Sequence, residues 1–226
     1  MNLRTLKAAL ALVGVAVLTG CATPPPPYDY TAFRQAKPAT ILVMPPVNQS
    51  PDVKASNSVW AQTAIPLAES GYYVVPVTVV AETFRENGMV NPEEAAQASP
   101  EKLRSFFGAD AALYLAVKQY GTSYKVIGSD SRVTVEGKLV DLRTGQQLWD
   151  GSATASTAEQ QQSSGGGLVG LLVKALVTQI LESSTNASHP MAALANQRLL
   201  AAGRHAGMLF GPRSPLYGKD FQQGQR

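Results

Sequence analysis

The chain has 226 residues, of which 19 are basic and 16 acidic, with one cysteine and a formal net charge of +3. Arg4 and Lys7 supply two of the basic residues and both precede the cysteine, so a chain cut before Cys21 is close to neutral. The pI of about 9.0 then belongs to the precursor, and composition excludes a nucleic-acid surface built on excess positive charge.

Residues 1–7 carry Arg4 and Lys7 and no acid, and residues 8–18 form an unbroken apolar run. This is the n-region and h-region of a signal peptide, too short for a span that needs about 20 residues. The run ends in Leu18-Thr19-Gly20-Cys21. Small side chains let this stretch lie in a protease groove, and only a thiol can become the thioether that carries a diacylglycerol. We read Leu18, Thr19 and Gly20 as a lipobox and Cys21 as the acylated, palmitate-bearing first mature residue. Lipidation consumes the sole thiol, so the core cannot be stapled by a disulfide and must hold by burial. Residues 21–38 contain Pro24 to Pro27 and end in Lys37-Pro38, the composition of a semi-rigid tether. Its 17 residues after Cys21, at 3.1 Å each, would hold a domain up to ~50 Å from the lipid.

The expected single domain spans residues 39–211, followed by a polar tail at 212–226 in which Tyr217 and Phe221 are potential docking points. Residues 40–43 (T-I-L-V) read as a buried strand bounded by Pro45 and Pro46. A helix is expected over 59–70, capped by Ser56 or Asn57, kinked at Pro66 and closed by Gly71. Residues 72–80 read as a second strand on a sheet edge, because Pro76 cannot donate to a ladder. A short helix at 81–87, a turn of helix from Asn91-Pro92 and a helix capped by Ser99 with Pro100 in first position lead to a strand at 111–120.

That spacing predicts the parallel-type half of an α/β layer. In 132–142, Val133, Val135, Gly137 and Leu139 alternate with Thr134, Glu136 and Lys138, the period of a half-exposed strand. Arg143-Thr144-Gly145 is a hairpin turn, and 146–157 returns, so the second half is an antiparallel meander. The fold class is therefore α/β, a mixed sheet packed by helices. Residues 158–167 read as a low-complexity hinge, 168–181 as a strongly apolar helix of ~21 Å and 191–207 as a last helix. Leu168, Leu171, Leu172, Leu176 and Ile180 mark the apolar helix as core, as a subunit interface or as a membrane-contact segment.

Reactive constellations do not stand out. His189 and His205 lack carboxylates or thiols at metal-ligand spacing, no nucleophile-elbow or phosphate-loop motif is present, and Gly165 to Gly167 lacks the lysine-serine pair of a phosphate loop. Asp110, Asp130, Asp141 and Asp150 flank strands. Asp141 and Asp150 could face one another across the turn, though turn chemistry explains acids there equally well. No catalytic residue, metal or cofactor is expected, and the chain reads as a non-enzyme.

The L-T-G-C at 18–21, the proline-rich start, I-L-V-M-P-P at 41–46, L-A-E-S-G-Y at 67–72 and V-D-L-R-T-G-Q-Q-L-W-D at 140–150 resemble a family of Gram-negative outer-membrane lipoproteins. That family includes a conserved neisserial vaccine-candidate antigen. The strand-turn-strand ending in Leu148-Trp149 is also similar to curli-secretion pore lipoproteins, to lipoprotein activators of peptidoglycan synthases and to the TolB N-terminal domain. The resemblance implies a TolB-like α/β fold, homo-oligomers, other envelope lipoproteins as partners, and a periplasm-facing scaffold or accessory role in an envelope or export assembly. Ala22 after the cysteine, where Asp would imply inner-membrane retention, follows the outer-membrane pattern of such lipoproteins. The alternative is an envelope module that binds cell wall or a small ligand near the loop at 47–52.

Overall fold

A computed structural model describes residues 28–124, 129–162 and 187–220. Leu18, Thr19, Gly20 and Cys21, the prolines at 24–27, Phe221 and the whole 168–181 segment lie outside those residues. The strands are β1 (Thr40–Val43), β2 (Val47–Asn48), β3 (Tyr73–Val74), β4 (Ala111–Tyr124), β5 (Ser129–Asp141) and β6 (Gln147–Ser156). The helices are α1 (Thr31–Ala36), α2 (Ala55–Trp60), α3 (Ala64–Glu69), α4 (Val77–Glu86), α5 (Pro92–Ala95), α6 (Pro100–Phe107), α7 (Thr157–Gln162) and α8 (Ser188–Leu200).

The sheet runs β3-β1-β4-β5-β6, with β2 continuing alongside β4 beyond β1. β1 is parallel to β3 and to β4, with Ile41 opposite Ala111, and β2 is parallel to β4, with Val47 opposite Ala116. β4, β5 and β6 form the antiparallel meander, in which Leu113, Leu139 and Trp149 stand on one rung. The fold is a mixed α/β sheet packed by helices, as expected from the pattern. Val133, Val135 and Leu139 are fully buried while Glu136 and Lys138 are exposed, so the period of two reports a real two-sided strand.

α8 closes the inner face of the meander. Ser188, Met191, Ala192, Ala195, Asn196, Leu199 and Leu200 are its buried positions, a three- and four-residue repeat that lays one face on the sheet. Glycines let it approach closely: a Cβ on Gly137 would meet Leu199 at 3.4 Å, and one on Gly151 would meet Trp149 at 2.5 Å. α2 and α3 pack beside α8, while α5 and the start of α6 border the opposite face next to Tyr114 and Val140.

Four local expectations change. The helix expected over 59–70 is two short helices broken at residues 61–63, because Pro66 is accommodated only in a first turn, where its missing N–H is no loss. Ser56 and Asn57 are therefore inside α2 and do not cap it. The strand expected over 72–80 stops at Val74. Pro76 becomes the N-cap of α4, and burial of Val80 and Phe84 overrides the β-propensity of the valines. Residues 157–162 are helical, anchored by Asp130 Oδ1, which accepts from Ala158 N (3.2 Å) and from Thr157 Oγ1 (3.3 Å). The last helix starts at Ser188 and ends at Leu200; Ala201 turns extended and Gly203 takes φ +81°.

Residues 28–38 are not extended. Tyr30 and Phe33 are buried, α1 is a folded helix, and Arg143 Nη2 donates to Ala36 O at 2.6 Å. Three aromatic rings in succession, with Tyr28 and Tyr30 centroids 4.8 Å apart and Tyr30 and Phe33 6.4 Å apart, draw the segment onto the domain.

Candidate functional site

Three surfaces can be built from the residues upward. The first is where the N-terminal segment docks. Tyr28 Oη donates to Asp150 Oδ1 (3.1 Å) and accepts from Asp150 N (3.0 Å), so it occupies the outward-facing amide of the edge strand β6. Asp29 Oδ1 accepts from Thr31 N at 2.9 Å and starts α1. Tyr30 Oη donates to Gly207 O and Tyr72 Oη to Leu209 O, both at 2.5 Å, clamping the strap that follows α8. Burial pushes the Tyr30 hydroxyl up to about 12 and the Tyr72 hydroxyl higher still, so both remain donors. Gly211 N donates to Ser70 O (2.8 Å) and Arg213 N to Gly71 O (3.1 Å), which ties the start of the expected tail to the α3–β3 turn. Between α1 and this strap lies a cleft of about 340 Å³ with Phe33, Tyr72, Leu209 and Phe210 in its walls and Arg34, Lys37 and Lys219 around it.

The second surface is the outer face of β4–β6. Among the described residues α5 and the start of α6 border it at one side, and the rest forms an open groove of about 810 Å³. Tyr114, Glu136, Lys138, Asp150 and Ser152 line it from the sheet, with Val47 and Gln49 at one end and Pro100 at another. The rungs are polar. Lys118 Nζ stands 3.1 Å from Glu136 Oε2, Thr134 and Thr154 hydroxyls are 2.9 Å apart, and Lys138 Nζ lies 5.6 Å from the Tyr114 ring centre. Half-burial raises the Tyr114 hydroxyl, which stays neutral on a surface whose charges come in opposite-sign neighbours.

The third is a polar cluster at the far end of the sheet. Tyr120 Oη donates to Ser58 Oγ (2.9 Å), Ser58 Oγ is 2.7 Å from His189 Nδ1, and Gln62 Nε2 donates to His189 O (3.1 Å). Sequence reading missed it. Ser58 and His189 lie 131 residues apart in different helices, and no local motif links them. A hydrolytic pair needs a third group to orient the imidazole. Among the described residues no carboxylate bonds His189, and its Nδ1 is engaged by Ser58 and Gln62.

The four aspartates flagged from sequence are held in structural roles. Asp110 Oδ2 accepts from Ala39 N and Thr40 N, both at 3.0 Å, and fixes the start of β1. Asp141 opposes Ala111 and Asp150 opposes Lys138, so the two do not face one another. Burial alone would raise the Asp141 carboxyl; hydrogen bonds from the Arg143 side chain and amide, with its charge, outweigh that and hold it below the usual carboxylate range. Asp130 follows the same balance, with the Ala158 amide and Arg132 outweighing burial. Among the described residues no three of His, Cys, Asp and Glu stand together as metal ligands.

The family model "Putative lipoprotein GNA1162-like" matches residues 28–213, from the tyrosine docked on β6 to the arginine bonded to Gly71. The chain belongs to this family. "Putative lipoprotein NMB1124/NMB1162" of Neisseria meningitidis serogroup B is 46% identical over 205 residues, covering 90% of this chain and 94% of its own. The crystal structure of lipoprotein GNA1162 from Neisseria meningitidis is 48% identical and covers 65% of this chain and all of that one, with a TM-score of 0.52. PelC from Paraburkholderia phytofirmans, solved as a dodecamer, covers 79% of this chain and 95% of its own at 18% identity and a TM-score of 0.39, too low to bear on this chain's assembly. These GNA1162-like relatives are named as lipoproteins and not as enzymes.

Residues Cys21 and 168–181 of this GNA1162-like chain lie outside the described structure, but the described ends beside them are informative. Tyr28 sits in the β1-bearing half of the sheet, on the Asp150–Lys138–Tyr114 rung just past the last β1 rung at Leu113. The residues flanking 163–186 sit at the opposite end: α7 is bonded to Asp130 and Ser131, and His189 to Ser58 beneath Tyr120.

Proposed function

We propose that this protein is an outer-membrane lipoprotein anchored through acyl chains on Cys21, facing the periplasm and acting without catalysis as a scaffold or accessory subunit of an envelope assembly. The observation that carries the reading is the outer face of β4–β6, open among the described residues. It is a broad polar surface backed by a sheet whose inner face is closed by α8. A large platform, with the four strand-flanking aspartates and His189 engaged in folding contacts, suits protein binding better than chemistry. The apolar residues Leu168, Leu171, Leu172, Leu176 and Ile180 are a second contact segment in this reading, for another copy or for a second envelope lipoprotein.

Substituting Cys21→Ala should abolish acyl labelling and membrane retention; normal labelling of that variant would refute the anchor. Photo-crosslinkers placed at Lys138 and at Leu172 in cells should yield discrete adducts with envelope proteins or with a second copy. A protein that stays a strict monomer and forms no adduct from either position is not a scaffold. A second reading, a module for cell-wall fragments or another polar ligand, is favoured by the size of the groove, within the range of ligand sites. Saturable binding of glycan or peptide fragments, lost in Glu136→Ala, would replace the first reading.

A further inference from the structure

We infer that the end of the molecule formed by α1 and the 209–220 strap is a docking face for the anionic phospholipid headgroups of the bilayer that holds Cys21. The inference rests on the reading of Cys21 as the acylated residue. Because Tyr28 is bonded to Asp150 and Tyr30 and Phe33 are buried, only residues 22–27 lie between Cys21 and the docked segment. Six residues, four of them proline, reach about 20 Å when extended at 3.1 Å each. The end carrying α1 is therefore held against the headgroup layer instead of standing off from it.

The chemistry of that end suits the surface it meets. The cleft of about 340 Å³ has apolar walls from Phe33, Tyr72, Leu209 and Phe210 and carries Arg34, Lys37 and Lys219. Lys37 and Lys219 are exposed and form no ion pair among the described residues. Asp220, the one carboxylate lining the cleft among the described residues, is occupied by accepting from Phe210 N. Cations around an apolar recess are what a phosphodiester above acyl chains fits, each cation near an anionic surface being worth roughly fivefold in partitioning. Docking here sets the long axis of the sheet. β1 starts beside Lys37, and β2 has moved on to pair with Val117, six residues along β4 from Ala111 and so about 20 Å further from the membrane. The β4–β5 hairpin and the flanks of 163–186 then face away from the lipid.

The mature acylated protein in vesicles tests this, and since lipidation consumes the only cysteine an introduced one is a unique label site. A fluorophore at Gln35→Cys on α1 is compared with one at Val53→Cys, in the loop beyond β2, using a nitroxide quencher on lipid headgroups. In phosphatidylcholine vesicles containing phosphatidylglycerol, the Gln35 label should be quenched several-fold more than the Val53 label. Introducing Lys37→Gln with Lys219→Gln should reduce the docked-to-undocked ratio roughly 25-fold, and omitting phosphatidylglycerol, which also removes the Arg34 contribution, should reduce it at least as much. Both lysines are exposed, so the unfolding midpoint should not move. Equal quenching of the two labels, or quenching indifferent to lipid charge and to the double substitution, overturns the docking face when mass spectrometry finds Cys21 acylated. An unmodified Cys21 peptide instead overturns the anchor reading on which it rests.

Discussion

Ser58 Oγ lies 2.7 Å from His189 Nδ1, and the same oxygen receives the hydroxyl of Tyr120 at 2.9 Å, so one serine joins a buried tyrosine to an exposed imidazole. Ser58 is the hinge of that chain. Ser58→Ala leaves the buried Tyr120 hydroxyl without this partner and should cost about 1–3 kcal/mol, the usual penalty for an unmet buried donor. His189→Ala touches only the exposed end and should cost less than about 1 kcal/mol. Urea unfolding of the two variants measures the difference; equal losses would show that the imidazole carries the contact.

The N-terminal dock is expected to be energetically real. Phe33→Ala removes a side chain that is 3% exposed and should cost about 3–5 kcal/mol if the pocket does not collapse. Tyr28→Phe removes both hydrogen bonds to Asp150 and should cost only ~1–2 kcal/mol. It should nonetheless raise the rate of protease cleavage around residues 28–30. Unchanged cleavage in Tyr28→Phe would mean that Tyr30 and Phe33 alone hold the segment.

Gly151 is set against Trp149. An added Cβ would sit 2.5 Å from Trp149 Cζ2 and 3.3 Å from Leu199, and the indole is held by its donation to Ala206 O at 3.0 Å. Gly151→Ala must displace α8 or the indole and should lose about 1–3 kcal/mol with a shifted Trp fluorescence maximum. Gly71→Ala should be at least as costly, because φ is +94° and the new Cβ would clash with the Ser214 backbone nitrogen. Calorimetric midpoints for both variants check the order.

Acid sensitivity follows from Asp141. Its carboxyl accepts from Arg143 N at 2.7 Å and from Arg143 Nη2 at 3.0 Å, and its folded pKa lies below the ordinary value. A depressed carboxylate pKa adds stability that is complete above the unfolded value, near pH 4. That stability is lost as pH falls through the folded value. Asp141→Asn should therefore be less stable than the parent at pH 7 and approach it in stability below about pH 4. Denaturation curves across that range decide it; a constant gap at every pH would assign the effect to geometry and not to charge.

Local signals were most legible where one residue type has one use. Ser99 and Pro100 begin α6, Gly108 ends it in the left-handed conformation at φ +63°, and Gly145 at φ +73° closes the β5–β6 turn. The alternation from Val133 to Leu139 marked a strand with one buried face for the same reason: period two admits only one burial pattern. The valines after Pro76 misled because β-propensity is a preference for a half-buried pleated surface, and here helix packing of Val80 and Phe84 supplied the burial instead.

The sequence by itself determined the mixed α/β sheet and the order of its two halves, because hydrophobic period, caps and turn residues act over a few neighbours, and its motifs carried the resemblance to the family. Only the tertiary structure decided which surfaces are left for function. The contacts that set them, Tyr28 with Asp150, Ser58 with His189 and Gly71 with Ser214, join residues more than 120 apart, which no local pattern encodes. Long-range packing folded residues 28–38 onto the domain, and among the described residues it put α8 on the inner face of β4–β6 and left the outer face open.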